Sequence, residues 1–282
     1  MKPPELSVIV PTYNRATLLR RCLDALDKQN FPKEQYEVMV VDDGSSDETR
    51  AFLSSSNYAY NLRPIFADHG GAAKARNRGI RESLGEILVF TDDDCFPQPN
   101  FLKLHWEAHQ NTKDRVARGP IIIIRTPDEE VQLHQKVASL SMNFFCTSNA
   151  SILRQNLLKA GLFDETFPRW EDAELGYRLR KAGLRYHFDP SMIVLHLKPP
   201  WKIKDLVRTA LADGRSARQL YNAHPSLRTW FSCGLHPFNR GIGKLFLPFA
   251  KRKVNAMNGE NVIEGFWEHL IFQAYFTIGL DS

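Results

Sequence analysis

Cysteine is sparse in this chain, with Cys22, Cys95, Cys146 and Cys233 scattered over 282 residues and no pair spaced as a CxxC metal or redox motif. The spread predicts reduced thiols with structural roles. Long apolar runs are also missing. A spanning helix needs about 18 or more apolar residues, and the longest late stretch, Leu270–Leu280, is broken by Gln273. The opening MKPPELSVIV has neither the apolar core nor the small-residue cleavage site of a secretory signal, which predicts a cytoplasmic chain. No GxGxxG follows the first apolar run and no GxxxxGK[ST] occurs anywhere. Gly241-Ile242-Gly243 lacks both the third glycine and a preceding strand. There is no internal repeat and no low-complexity segment, and a hydrophobic content of 43% excludes wholesale disorder.

Acidic residues are nearly absent from one region. Residues 198–253 carry 12 Lys/Arg against only Asp205 and Asp213, a local excess of +10. Residues 254–282 add four acids and no base, while the first 197 residues balance at −1. The basic excess therefore belongs to the C-terminal third. It implies either a polyanionic partner or a solvated basic helical face.

The N-terminal half alternates strand-length apolar runs with helical patterns. Strands are predicted at Leu6–Val10, Tyr36–Val41, Leu62–Phe66 and Ile87–Thr91, with helices over Ala16–Lys28, Asp47–Leu53 and Gly71–Ser83 between them. Such alternation predicts an α/β fold with a mostly parallel sheet and helices on both faces, in which ligands bind at the carboxyl ends of the strands. Three of those ends carry reactive residues: Pro11-Thr12-Tyr13-Asn14-Arg15, Asp42-Asp43, and Asp92-Asp93-Asp94. Further on, Val116–Ile124 is β-rich, Asp128–Asn143 reads as a helix, and Glu171–Ala182 reads as a helix closed by Gly183. Ile193–Leu195 is a short strand leading to His196. From Lys202 the pattern is helical, with interruptions expected near Pro225, Pro237 and Pro248. The division expected is a catalytic domain over 1–200 and a helical basic extension over 201–282.

Three adjacent carboxylates at a strand end repel one another, and a hard divalent cation relieves that repulsion. Alternation along an extended chain would point Asp92 and Asp94 to one side. An exposed acidic turn fits the same residues. Asp42-Asp43-Gly44-Ser45 reads as a capping turn or as a carboxylate that meets a nucleotide. His69-Gly70-Gly71-Ala72-Ala73-Lys74-Ala75-Arg76 opens a helix, where glycines permit close backbone approach and the N-terminus favours phosphate. An ordinary glycine turn with solvated bases fits equally well. Trp170-Glu171-Asp172 starts a helix whose dipole the acids complement, and a carboxylate placed there can also act as a general base. His196 is either structural or a further ligand beside the carboxylates.

Taken in order, LSVIVPTYNR, VVDDGSSDET, GGAAKARNRGI, GEILVFTDDDCFP, SNASILRQ…GLFDE and WEDAELGYRLRKAG resemble the family 2 inverting glycosyltransferases of the GT-A fold, over residues 5–197. That fold is a Rossmann-like, mostly parallel sheet that binds a nucleotide-diphospho-sugar. The resemblance implies donor binding by Pro11, Thr12, Tyr13, Arg15, Asp43, Gly71, Arg76, Asp92 and Asp93, with Tyr13 against the base, usually uracil. Asp94 is implied as the ligand of Mn2+ or Mg2+, joined by Asp92 and His196. Asp93 falls where the family is variable. Asp172 matches the catalytic base, with Trp170 and Glu171 on the acceptor side. The implied reaction passes a sugar from a nucleotide donor, UDP-linked by preference, to the hydroxyl of a glycan or lipid-linked acceptor in synthesis of a bacterial-type surface glycan or glycolipid.

Two rivals differ in class. A polyprenyl-phosphate sugar transferase shares the N-terminal motifs, but its phosphate acceptor needs no base, which Trp170-Glu171-Asp172 argues against. A nucleic-acid-binding protein would suit the basic tail, yet no nucleic-acid motif is present and acid-rich strand ends repel phosphate, so no nucleic acid is expected. The tail itself interleaves basic and aromatic residues. It reads either as peripheral on an anionic membrane surface, the cytoplasmic face, or as aromatics packed into structure.

Overall fold

The structure is a computed structural model that describes residues 3–129 and 143–282. The chain divides into two compact units, the first comprising residues 1–166 and 171–198 and the second residues 167–170 and 199–282. Most of the helix expected over 128–143 lies outside the described residues.

The first unit is built on a sheet in the order β3-β2-β1-β4-β8-β6-β9. Here β1 is Leu6–Thr12, β2 Tyr36–Asp42, β3 Asn61–Phe66, β4 Ile87–Phe90, β6 Arg115–Arg118, β8 Ala150–Leu153 and β9 Arg185–Phe188. The first four are mutually parallel. Of these, β1, β2 and β4 are the continuous apolar runs expected of strands covered on both faces, while β3 is a largely uncovered edge strand. β8 runs antiparallel between β4 and β6. Side-chain alternation sorts the core into two layers. Leu6, Val8, Val10, Val38, Val40, Ile87 and Val89 pack against α1 (Ala16–Asp27), α2 (Thr49–Ser55) and α4 (Phe101–His109). Ile9, Met39, Val41, Leu88 and Phe90 pack on the other face against α3 (Ala72–Glu82), α5 (Arg154–Ala160) and α6 (Glu171–Lys181). The α/β architecture with helices on both faces is the one expected.

The β-rich stretch 116–124 is two strands in different sheets. β6 stays in the main sheet, while β7 (Ile121–Ile124) joins β10 (Val194–Leu197) and β5 (Cys95–Pro97) in a small second sheet. Gly119 makes the crossing, since a Cβ there would lie 1.9 Å from the Met192 carbonyl oxygen. His196 lies within β10 rather than after it, in register opposite Cys95. α6 ends at Lys181, and Gly183 just past it has φ +87°, as its cap position predicts.

The second unit holds α7 (Ile203–Ala223), α8 (Leu227–Ser232), α9 (Pro237–Asn255), α10 (Phe266–Asp281) and a short β11–β12 pair (Trp201–Lys202, Val262–Ile263). Its core gathers Ile203, Leu206, Ala250, Leu270, Ile271 and Ala274. Pro225 separates α7 from α8, and Pro237 opens α9, a position that needs no amide hydrogen. Pro248 departs from expectation. It lies inside α9 on an exposed side, where water can serve the backbone carbonyl that loses its partner. No described helix is long and apolar enough to cross a membrane.

Candidate active site

The site forms where β1, β2 and β4 end together. Parallel register places Thr12 opposite Asp42 and Ile9 opposite Phe90, so the residues following Phe90 emerge beside Thr12. There the chain turns sharply, with the Cys95 amide donating to the Asp92 carbonyl at 3.1 Å. The expectation that Asp92 and Asp94 share a side is therefore overturned, because a turn replaces the extended chain on which alternation depends.

Each carboxylate has its own partners. Asp92 accepts from Arg76 Nη2 at 2.7 Å and from Ser148 Oγ at 2.6 Å. Asp93 points inward and accepts from Thr12 Oγ1 at 2.8 Å and Arg15 Nη1 at 3.0 Å. Burial pushes its carboxyl up to about 6 against the pull of Arg15. Asp94 accepts from Arg15 Nη1 at 2.8 Å, and its Oδ1 lies 3.2 Å from His196 Nε2. Burial alone would raise the Asp94 carboxyl. The hydrogen bond and charge of His196, with those of Arg15, outweigh it and hold the group below its ordinary range.

Arg76 is buried rather than solvated, and it is the hinge pin of the site. Its Nη1 donates to Glu171 Oε1 at 2.7 Å while Nη2 holds Asp92, so one guanidinium ties the end of β4 to the start of α6. Lys74, two residues earlier, is exposed. Asp172 follows Glu171 in the first turn of α6, partly buried. Burial, then the charge of Glu171, pushes its carboxyl up to about 6 despite nearby Arg76. Trp170 has φ +65°, an uncommon value for a bulky side chain, and its ring stacks on Phe276 within the second unit, at 6.1 Å between centroids.

One side of the site is lined from the ends of β1 and β2. Tyr13 is exposed and stacks on His69, with ring centroids 4.4 Å apart. Asp43 accepts from the Gly70 and Gly71 amides, both at 2.9 Å, and its Oδ2 lies 2.8 Å from His69 Nδ1. The glycine amides that could have met a phosphate thus serve Asp43. Asn14 (φ +54°) accepts from the Ser46 amide at 2.7 Å and pins the loop after β2 to the loop after β1.

Among the described residues, Asp94, Cys95 and His196 form a group whose donor atoms lie within 4.8 Å of one another, and Asp92 stands outside it. Burial and the charges of Asp92 and Asp94 push the Cys95 thiol well up, and sulfur is the donor a hard divalent cation prefers least. A carboxylate and an imidazole remain, a donor set that suits Mn2+ or Mg2+ more than a soft ion. The local charge agrees: Asp92, Asp93, Asp94, Glu171 and Asp172 face the guanidiniums of Arg15 and Arg76. Sequence reasoning assigned no site role to Ser148 or His69, and read Cys95 only as a structural thiol. Ser148 stands in the SNAS segment and Cys95 directly follows the acidic triplet, but partners distant in sequence carry no spacing signal.

Comparison with known proteins shows the family and the fold. Residues 7–168 match the sequence profile described as glycosyl transferase family 2. The chain is 44% identical over 253 residues to glycosyltransferase AglE of Haloferax volcanii, covering 83% of this chain and 82% of that protein. It is 30% identical over 221 residues to validoxylamine A glucosyltransferase of Streptomyces hygroscopicus, covering 64% of this chain and 52% of that protein. Among solved structures, the mannosyltransferase PcManGT of Pyrobaculum calidifontis, in complex with GDP-Man and Mn2+, is similar in fold. Its TM-score is 0.68 at 20% identity, with 100% of this chain and 87% of that one covered. Staphylococcus aureus TarS bound to UDP gives 0.59 at 19% identity, covering 98% and 90%. The strand-end constellation thus sits in a GT-A framework, and the chain belongs to glycosyl transferase family 2 and is a glycosyltransferase.

Proposed function

We propose that the protein is a metal-dependent, inverting glycosyltransferase that moves a sugar from a nucleotide-diphospho-sugar, UDP-linked by preference, to the hydroxyl of a glycan or lipid-linked acceptor. One observation carries the reading. Asp172 sits in the first turn of α6, which Arg76 locks to the end of β4, and its carboxyl is pushed up to about 6. Such a group is ionised at neutral pH yet basic enough to take a proton from a reacting hydroxyl.

In the step that follows, the acceptor O–H gives its proton to Asp172 as its oxygen bonds to the anomeric carbon. The sugar–phosphate bond breaks on the opposite face, and its electron pair leaves with the nucleoside diphosphate. A single displacement inverts the anomeric centre. Tyr13 offers an exposed ring face to the base, while Thr12 and Asp43 line the nucleotide side with Arg15. Asp94 and His196 would hold Mn2+ or Mg2+, which when bound supplies positive charge for the departing diphosphate. PcManGT bound to GDP-Man and Mn2+, and TarS bound to UDP and to UDP-GlcNAc, support a nucleotide-sugar donor.

The test is Asp172→Asn. It should keep UDP-dependent thermal stabilisation in the presence of Mn2+ while turnover on a nucleotide-sugar panel falls by about 10²–10⁴-fold. Unchanged turnover would remove Asp172 from the mechanism.

A further inference from the structure

α9 is apolar on two sides. Gly243, Phe246, Leu247, Ala250 and Val254 turn toward the core of the second unit. Phe238, Leu245 and Phe249 recur at helical spacing on another side, exposed by 75%, 66% and 58%. Solvated faces of helices are ordinarily polar, so three large apolar side chains in one row mark a surface that meets something. The row continues beyond the helix. The Phe238 ring stacks on His236 at 6.5 Å, and His236 meets Phe231 of α8 at 5.7 Å, itself 62% exposed.

The charge beside the row is of one sign. α9 contains Arg240, Lys244, Lys251, Arg252 and Lys253 and no acid. Asp281 answers Arg240 and Lys244, and Lys253 lies over the Trp267 ring. Lys251 and Arg252 are exposed at the end of the row, with no acidic partner among the described residues. Beside its other end, Trp230, Pro237, Arg240, Gly241 and Lys244 line an open depression of about 440 Å³. It combines aromatic surface with cationic donors. The apolar row and the acid-free cations Lys251 and Arg252 at its end match an anionic bilayer, which presents acyl chains and phosphates at those depths.

We propose that the Phe231–Phe238–Leu245–Phe249 ridge, with Lys251 and Arg252, is an interfacial docking face for an anionic lipid bilayer. The apolar row enters the headgroup–acyl boundary. Lys251 and Arg252 meet lipid phosphates. The face lies wholly in the second unit and does not rest on the assignment of the catalytic residues.

The experiment is cosedimentation of the full chain with phosphatidylcholine vesicles, with and without phosphatidylglycerol, at low and high salt. The protein should sediment with the anionic vesicles at low salt, and salt should weaken binding by screening. Lys251→Gln/Arg252→Gln should weaken partitioning by about 30-fold, corresponding to ~1 kcal/mol for each basic residue lost. Phe238→Ser/Leu245→Gln/Phe249→Ser should abolish partitioning at an unchanged thermal midpoint by circular dichroism, since these side chains are exposed. A wild-type chain left in the supernatant with anionic vesicles at low salt overturns the proposal, and so does equal binding to neutral vesicles. A dimer seen by sedimentation velocity and lost in the triple variant would assign the ridge to a second copy and overturn it too.

Discussion

Arg76 and Glu171 are joined by a 2.7 Å ion pair although 95 residues separate them, and the same buried guanidinium also holds Asp92. Two carboxylates from two elements thus share one planar cation. The geometry suits arginine, whose fork donates in two directions, and not lysine, which is a point charge. Arg76→Met leaves both acids in a partly buried place without their cation and should destabilise the protein by about 3–5 kcal/mol in urea unfolding. Arg78→Met, which breaks an exposed pair with Glu82, should change stability by about 0.5 kcal/mol or less.

The pH profile of kcat/KM should fall on its acid side with a break near 6, the value to which burial and the charge of Glu171 push Asp172. Glu171→Gln removes that charge, so the break should move to lower pH. A break that stays in place would assign the limb to another group.

Stability should respond to the same carboxyl. Its folded value of about 6 lies above the ordinary 3.8, so the folded state holds the proton more tightly than the unfolded chain. The contribution of Asp172 to stability is then fully present below about pH 4 and lost as pH rises through about 6. Asp172→Asn should therefore melt higher than wild type at pH 7.5, with the difference closing below about pH 4. A scan of thermal midpoint against pH for both proteins reads it.

Asp94→Asn and His196→Ala should each lose the Mn2+-dependent part of UDP binding by titration calorimetry. Cys95→Ser should keep it, because a hard cation gains little from a sulfur donor.

Much of the first unit could be read directly from the residues. β1, β2 and β4 are covered on both faces, so they appear as unbroken apolar runs, and their polar ends announced the site. β8 and β9 escaped because Ser151 in one, and Arg185 and His187 in the other, interrupt the kind of apolar run that marks β4. β9 exposes Arg185, Tyr186 and Phe188, and its pairing with β6 is set by tertiary contact. Within the site, the residue types were legible and their directions were not. One backbone hydrogen bond, Cys95 to Asp92, turns the acidic triplet and sends its three side chains to different partners. His196 reaches Asp94 because β10 pairs with β5, a register that no local pattern encodes.

Gly119→Ala should cost about 1–3 kcal/mol, since its Cβ would meet the Met192 carbonyl at 1.9 Å and backbone must shift to admit it. Denaturant midpoints of this variant and wild type decide the matter.

Residues 167–170 belong to the second unit although the chain on either side of them belongs to the first. The polypeptide is therefore stitched rather than strung, and no single cut releases either unit whole. Cleavage after Lys198 would leave Arg169 without Asp213 and Trp170 without Phe276, directly ahead of Glu171 and Asp172. A fragment ending there would keep every strand of the large sheet and still lose the anchorage at the entrance to α6. The first unit is consequently not a portable module, and the helical unit is not an optional appendage.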